Sequence, residues 1–138
     1  MKGSSGFSRH VLPALLYTVG IFVGGSLPNG IDTGLDFSYQ DKLVHGVVFG
    51  GLLVLVERAL AVLLPLRRPG ARLSLSILIA LALGGLLEFW QAFLPSRRAE
   101  LADWLADAVG TLLAAFLVWR FRGEAWPAEP AQAPASKR

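Results

Sequence analysis

Four long apolar blocks constrain this chain more than any other feature. Residues 11–27 carry no charge over 17 positions. Residues 43–66 are apolar apart from His45 and the adjacent Glu57-Arg58. Residues 73–94 hold one charge, Glu88, and residues 101–119 hold two, Asp103 and Asp107. A bilayer core about 30 Å thick is crossed by about 20 helical residues. Each block is near that length, and none has the polar face that a helix of a soluble protein turns to water. The sequence therefore predicts an all-α fold, a four-helix transmembrane bundle. Composition agrees: 54% of residues are hydrophobic and 17% charged, against roughly 45–50% and about 25% in soluble domains.

The connections fit this division. Pro28-Asn29-Gly30 is predicted to end the first helix. Pro69-Gly70 falls in the second connection, and Pro95 is predicted to end the third helix, since a residue before proline leaves the helical region. Beyond Arg122 the chain turns Ala-, Pro- and Glu-rich, with Pro127, Pro130 and Pro134. Such a segment buries no core and reads as disordered. Three parts follow: an N-terminus over 1–10, a four-helix domain over 11–121 and a tail over 122–138. A second reading makes the first block a signal peptide, with Lys2 and Arg9 ahead of it and small residues at Gly24-Gly25-Ser26.

Charge sets the orientation. Ten of the 13 Lys and Arg fall at the N-terminus, around the second connection and in the tail; Lys42, Arg97 and Arg98 fall on the other side. The positive-inside rule makes the ten-charge side, and so both termini, cytoplasmic. The high pI of 9.8 is thus a topology signal and not a nucleic-acid footprint, which needs basic residues clustered on a water-facing surface. With no cysteine in the chain, thiolate nucleophiles and thiolate metal sites are excluded.

Seven of the ten acids lie toward the outer side. Asp41, Lys42 and His45 open helix 2, Glu88 and Gln91 lie near the end of helix 3, Arg97 and Arg98 follow it, and Asp103 and Asp107 begin helix 4. Ionisable groups in spanning segments are costly, face the bundle and mark function by default. Asp41 and His45 are one turn apart. Gly84, Glu88 and Gln91 share an arc of roughly 60°, and Asp103, Asp107, Gly110 and Ala114 form a similar stripe. Gly20-xxx-Gly24 and Gly46-xxx-Gly50 offer close helix contacts. These groups describe a polar cup open to the outside.

Each feature has a plainer reading. Glu88 with Lys42 or Arg97 is a structural lock or a functional pair. His45 is a packing residue or an acid/base group. His45 with Asp41, Glu88, Asp103 and Asp107 has the ligand types for a divalent metal, but no recognised ligand spacing such as HExxH is present and no metal site is predicted. Otherwise no cofactor is expected. Arg97 and Arg98 clamp an anionic group or are simply solvated. Asp103 caps helix 4 or serves the cup. Trp90, Trp104, Trp119 and Trp126 read as interfacial anchors, and Glu57-Arg58 as a self-neutralising or snorkelling pair.

Two motif blocks resemble the VanZ-like membrane proteins. One is Asp41-Lys42-xx-His45 at the head of a spanning helix. The other is Gly84-xxx-Glu88-xx-Gln91-x-Phe93-x-Pro95-x-Arg97, followed by Asp103 and Asp107-xx-Gly110. With helix 1 they cover about 11–121. Asp107 stands where the family usually has asparagine, and Glu100 where it usually has a small hydroxyl residue. The resemblance implies a small integral protein of the bacterial cytoplasmic membrane, in a family named for low-level teicoplanin resistance.

Three functions stay open on sequence. In the first, the cup binds an anionic membrane lipid, a lipid-linked envelope intermediate or a lipoglycopeptide through Asp41, Lys42, His45, Glu88, Gln91, Arg97, Asp103 and Asp107. In the second, an intramembrane enzyme uses His45 with Glu88 or Asp103 as acid and base; Ser26, Ser38 and Ser96 lack an activating context as nucleophiles. In the third, the polar groups only lock helices. A homo-oligomer is compatible with each, and a nucleic-acid partner with none. A transporter is disfavoured, because no inverted repeat or broken helix is evident.

Overall fold

The computed structural model describes residues 7–28, 39–64 and 68–121. A π-helical turn, Phe7–Val11, runs into α1, Leu12–Gly25. Then follow α2, Gln40–Leu63, α3, Pro69–Gln91, and α4, Leu101–Arg120. Together Phe7–Gly25, Gln40–Leu63, Pro69–Gln91 and Leu101–Arg120 make four helical stretches long and apolar enough to cross a membrane. Asn29, Gly30, the acids Asp32 and Asp36, Ser38, Trp126 and the 122–138 tail lie outside the described residues.

Two helix boundaries differ from expectation. Pro69-Gly70 begins α3 instead of separating it from α2. Proline is well placed in a first helical turn, where its missing N–H had no partner to lose. At the other end, α3 stops at Gln91, ahead of the expected Pro95. There the bonding tightens: Phe93 N–H donates to Trp90 O and Leu94 N–H to Gln91 O, both at three-residue spacing.

Contacts fix the packing directions. Lys42 reaches Asp103, His45 reaches Asp107, and Gly46 faces Gly110, so α2 and α4 run parallel. Glu57 of α2 meets Arg72 of α3, and Trp104 of α4 meets Leu81 of α3. The third helix is therefore antiparallel to both. The first packs back on α2 through Tyr17, whose hydroxyl donates to Val48 O at 3.1 Å.

The α2–α4 contact is made by backbone. A Cβ at Gly110 would overlap the Gly46 carbonyl, and one at Gly50 would stand 3.2 Å from Gly110 O. Small residues permit this approach where no hydrophobic drive joins helices in lipid. The Gly46-xxx-Gly50 expectation holds. The Gly20-xxx-Gly24 one does not at Gly20, which faces open space; Gly25 instead packs against Leu87 and Gln91.

Burial differs from that of a soluble bundle in what is exposed and in how many polar groups are inside. Leu15, Leu16, Val19 and Val23 of α1, and Leu112, Leu113, Phe116 and Leu117 of α4, are exposed. Glu57, Arg72, Ser76, His45, Glu88, Gln91, Asp103, Asp107 and Thr111 are buried. Lipid solvates the first set, and only protein partners satisfy the second. An apolar core of Ile21, Phe49, Leu52, Val56, Leu60, Ala80 and Leu87 fills the space between.

Candidate functional site at one end of the bundle

The start of α2, the end of α3 and the start of α4 meet at one end. Lys42 is the hub of its outer layer. Its Nζ donates to Glu100 Oε2 at 2.9 Å and to Asp103 Oδ1, with Asp41 Oδ2 farther off at 4.0 Å. One turn deeper, His45 Nδ1 lies 2.8 Å from Asp107 Oδ1, while Nε2 lies 3.9 Å from Asp103 Oδ2. From α3, Glu88 Oε2 accepts the Glu100 backbone N–H at 2.8 Å. That N–H stands at the N-cap of α4, where a helix favours negative charge. Gln91 Nε2 donates to Gly25 O at 2.9 Å and ties α3 to α1.

The expected constellation thus comes together, with four corrections. Glu88 pairs with neither Lys42 nor Arg97; it clamps the start of α4, and Lys42 is taken by Asp103 and Glu100. The expected open cup is largely closed: His45 and Glu88 are 8% exposed and Asp107 is 0%. Asp41 and Arg97 line the cavity beside His45, together with Gly24, Gly25 and Leu87. Its volume of about 50 Å³ exceeds the roughly 10–15 Å³ that admits one water. Asp103 makes no capping bond at the start of α4; Lys42 takes its carboxylate. Two tryptophans are more than interfacial anchors: Trp104 Nε1 donates to Leu81 O at 3.1 Å and Trp90 Nε1 to Ser26 Oγ at 3.0 Å.

Two carboxylate oxygens in this site are left over. Among the described residues, Glu88 Oε1 and Asp107 Oδ2 have no hydrogen-bond partner. Asp107 Oδ2 lies against Gly84, where a Cβ would approach it to 2.9 Å. Thr111, one turn further along α4, is fully buried with its hydroxyl also unpartnered. Sequence reading passed over Thr111, although its four-residue spacing from Asp107 puts it on the same face.

Above this layer lies a polar depression lined by Asp41, Ser96, Arg97, Arg98, Glu100 and Asp103. Among the described residues neither Arg97 nor Arg98 makes an ion pair. Glu100 stands in the connection before α4. Its carboxyl is held below the usual range, first by the Lys42 hydrogen bond, then by the charges of Lys42, Arg98 and Arg97.

A second polar cluster was missed. Glu57, read as neutralised by Arg58, instead accepts from Arg72 Nε at 3.0 Å and from Ser76 Oγ at 2.5 Å. The signal was available in part: Arg72 and Ser76 are four residues apart on one face, at the start of a helix that must turn back on α2.

Four spanning helices around a buried acid–histidine cluster define a multi-pass helical membrane protein. The family described as VanZ/LLP1 matches residues 9–122, and the chain belongs to it. No curated protein and no solved structure matches the chain.

Proposed function

We propose that this protein is a binding component of the bacterial cytoplasmic membrane, with both termini cytoplasmic and the Lys42–His45 end facing outward. Its ligand is amphiphilic and anionic: a membrane lipid, a lipid-linked envelope intermediate or a lipoglycopeptide of the teicoplanin kind. The observation that carries this reading is Arg97. Its half-buried side chain lines both the cavity beside His45 and the polar depression, and among the described residues it makes no ion pair. A guanidinium fork in that position suits a phosphate or carboxylate. Lys42, already held by two acids, is a positioning group more than a ligand group. An apolar groove of about 580 Å³ between α2 and α4 starts at Lys42 and runs past Gly46 and Gly50. Its apolar lining suits an acyl or prenyl chain.

The test is mass spectrometry of lipid that co-purifies with wild-type protein and with Arg97→Ala. Loss of an anionic species in the variant is expected, and an unchanged lipid complement refutes the reading. Orientation is tested separately. The chain has no cysteine, so Ser96→Cys is expected to react with an impermeant maleimide on intact cells, and Gly70→Cys only after permeabilisation.

A second reading, intramembrane acid/base chemistry, is favoured by the His45–Asp107 contact. A carboxylate on Nδ1 fixes the tautomer and leaves Nε2 to take or give a proton. Full phenotype in His45→Gln would remove it.

A further inference from the structure

The geometry points to a divalent-cation site formed by His45, Glu88 and Asp107 at the α2–α3–α4 junction. One donor atom from each of these residues lies within 4.8 Å of the others. Metal–ligand bonds of about 2.0–2.6 Å place any two donors of one ion within about 5 Å of each other. A second triad, Asp41, His45 and Asp103, meets the same limit and shares the histidine. His45 is thus central to four carboxylates.

Proximity of acids alone does not make a site. Here two unsatisfied atoms supply an independent indication. Asp107 is fully buried and Glu88 is 8% exposed, yet Asp107 Oδ2 and Glu88 Oε1 have no partner among the described residues. Buried carboxylate oxygens without a donor are costly. The remaining atoms of the same groups are well used: Asp107 Oδ1 on His45 Nδ1, and Glu88 Oε2 on the Glu100 N–H. Both side chains are therefore held in place with one oxygen each to spare.

The histidine is set up correspondingly. A metal-bound imidazole usually hands its other ring N–H to a carboxylate, which fixes the tautomer. With the ion on Nδ1 in place of the proton shared with Asp107, the Nε2–H faces Asp103 Oδ2 at 3.9 Å in that relation. The adjoining cavity supplies room for water to complete the coordination. One imidazole among carboxylates selects a small divalent ion of the Mn²⁺ or Zn²⁺ kind over the all-oxygen preference of Ca²⁺. A bound cation would also make this acidic pocket receptive to an anionic group beside Arg97. That consequence rests on the headgroup reading; ion binding itself does not.

The test uses full-length protein in detergent, stripped with chelator and titrated with Mn²⁺ alone, with free ion followed by electron paramagnetic resonance. One tightly held Mn²⁺ per chain is expected. Glu88→Gln keeps an oxygen acceptor for the Glu100 N–H and is expected to weaken binding at least tenfold; His45→Gln is expected to do the same. Circular dichroism and thermal unfolding of the stripped variants verify the fold. A wild-type protein that takes up no Mn²⁺ overturns the proposal, as does a folded Glu88→Gln or His45→Gln protein that binds like wild type. No lipid enters this measurement, so its outcome is distinct from that of the lipid analysis.

Discussion

At one end of the bundle Glu57, Arg72 and Ser76 answer one another; at the other, His45, Glu88, Asp103 and Asp107 do not quite. Burial does not separate the two clusters, since Glu57 and Asp107 are both 0% exposed. Closure does. Glu57 has a guanidinium on one oxygen and a hydroxyl on the other. Asp107 and Glu88 each have one oxygen used and one unused. The first arrangement holds α2 to α3. The second leaves one oxygen of Glu88 and one of Asp107 unpartnered among the described residues, near the cavity that His45 lines. A buried ion pair is weak evidence of stability, but breaking one is severe. An unsatisfied cluster should react to substitution in the opposite sense, through ligand binding before fold.

The largest effect should come from Arg72→Met. It leaves Glu57 buried without its guanidinium and is expected to cost about 3–5 kcal/mol, read by SDS-induced unfolding and by abundance in the membrane. Next is Gly110→Ala, in the glycine contact just below the site. The added methyl meets the Gly46 carbonyl, and relief requires α2 and α4 to part, at about 3 kcal/mol. If Gly110→Ala unfolds like wild type, the parallel α2–α4 contact is wrong.

Lys42→Met should be milder, at about 1 kcal/mol, because solvent screens a partly exposed pair. Glu88→Gln sharpens the contrast most. It is expected to shift stability by less than about 1 kcal/mol, since the hydrogen bond to α4 survives. A loss as large as that of Arg72→Met would make the two clusters alike and Glu88 a structural lock.

The smallest effect concerns Glu100. Its carboxyl is lowered by Lys42, with Arg98 and Arg97 adding to the field. A lowered carboxyl contributes stability above its unfolded-state value and loses it as pH falls through the folded-state value. A carbon-detected NMR titration should therefore show Glu100 protonating below ordinary glutamates, and Lys42→Met should return it toward them. No such return would place Lys42 elsewhere.

The spans were legible because hydropathy and length suffice in a membrane. The level of the site was legible too. Asp41 and His45, or Asp103 and Asp107, share a helix face by spacing alone. What spacing within one helix does not carry is the partner on another. Lys42 could be placed near Glu88 as readily as near Asp103, and only the parallel packing of α2 and α4 decides for Asp103. Adjacency misled at Glu57-Arg58: neighbours in a helix point about 100° apart, and the guanidinium that meets Glu57 comes from Arg72. Trp104 misled differently. Its composition-level role as an interfacial anchor is general, whereas its bond to Leu81 O depends on how closely α3 and α4 approach.

The two clusters also differ in how far apart their members lie along the chain. Arg72 follows Glu57 by 15 residues, whereas Asp107 follows His45 by 62. Chains are made and folded from the N-terminus onward. The α2–α3 contact therefore has both its members, Glu57 and Arg72, in the chain before α4 is made. Lys42 and His45 must wait in the bilayer until α4 has been inserted, and the site is assembled last. A chain ending at Gln91 would keep the Glu57–Arg72 hairpin and have no site at all.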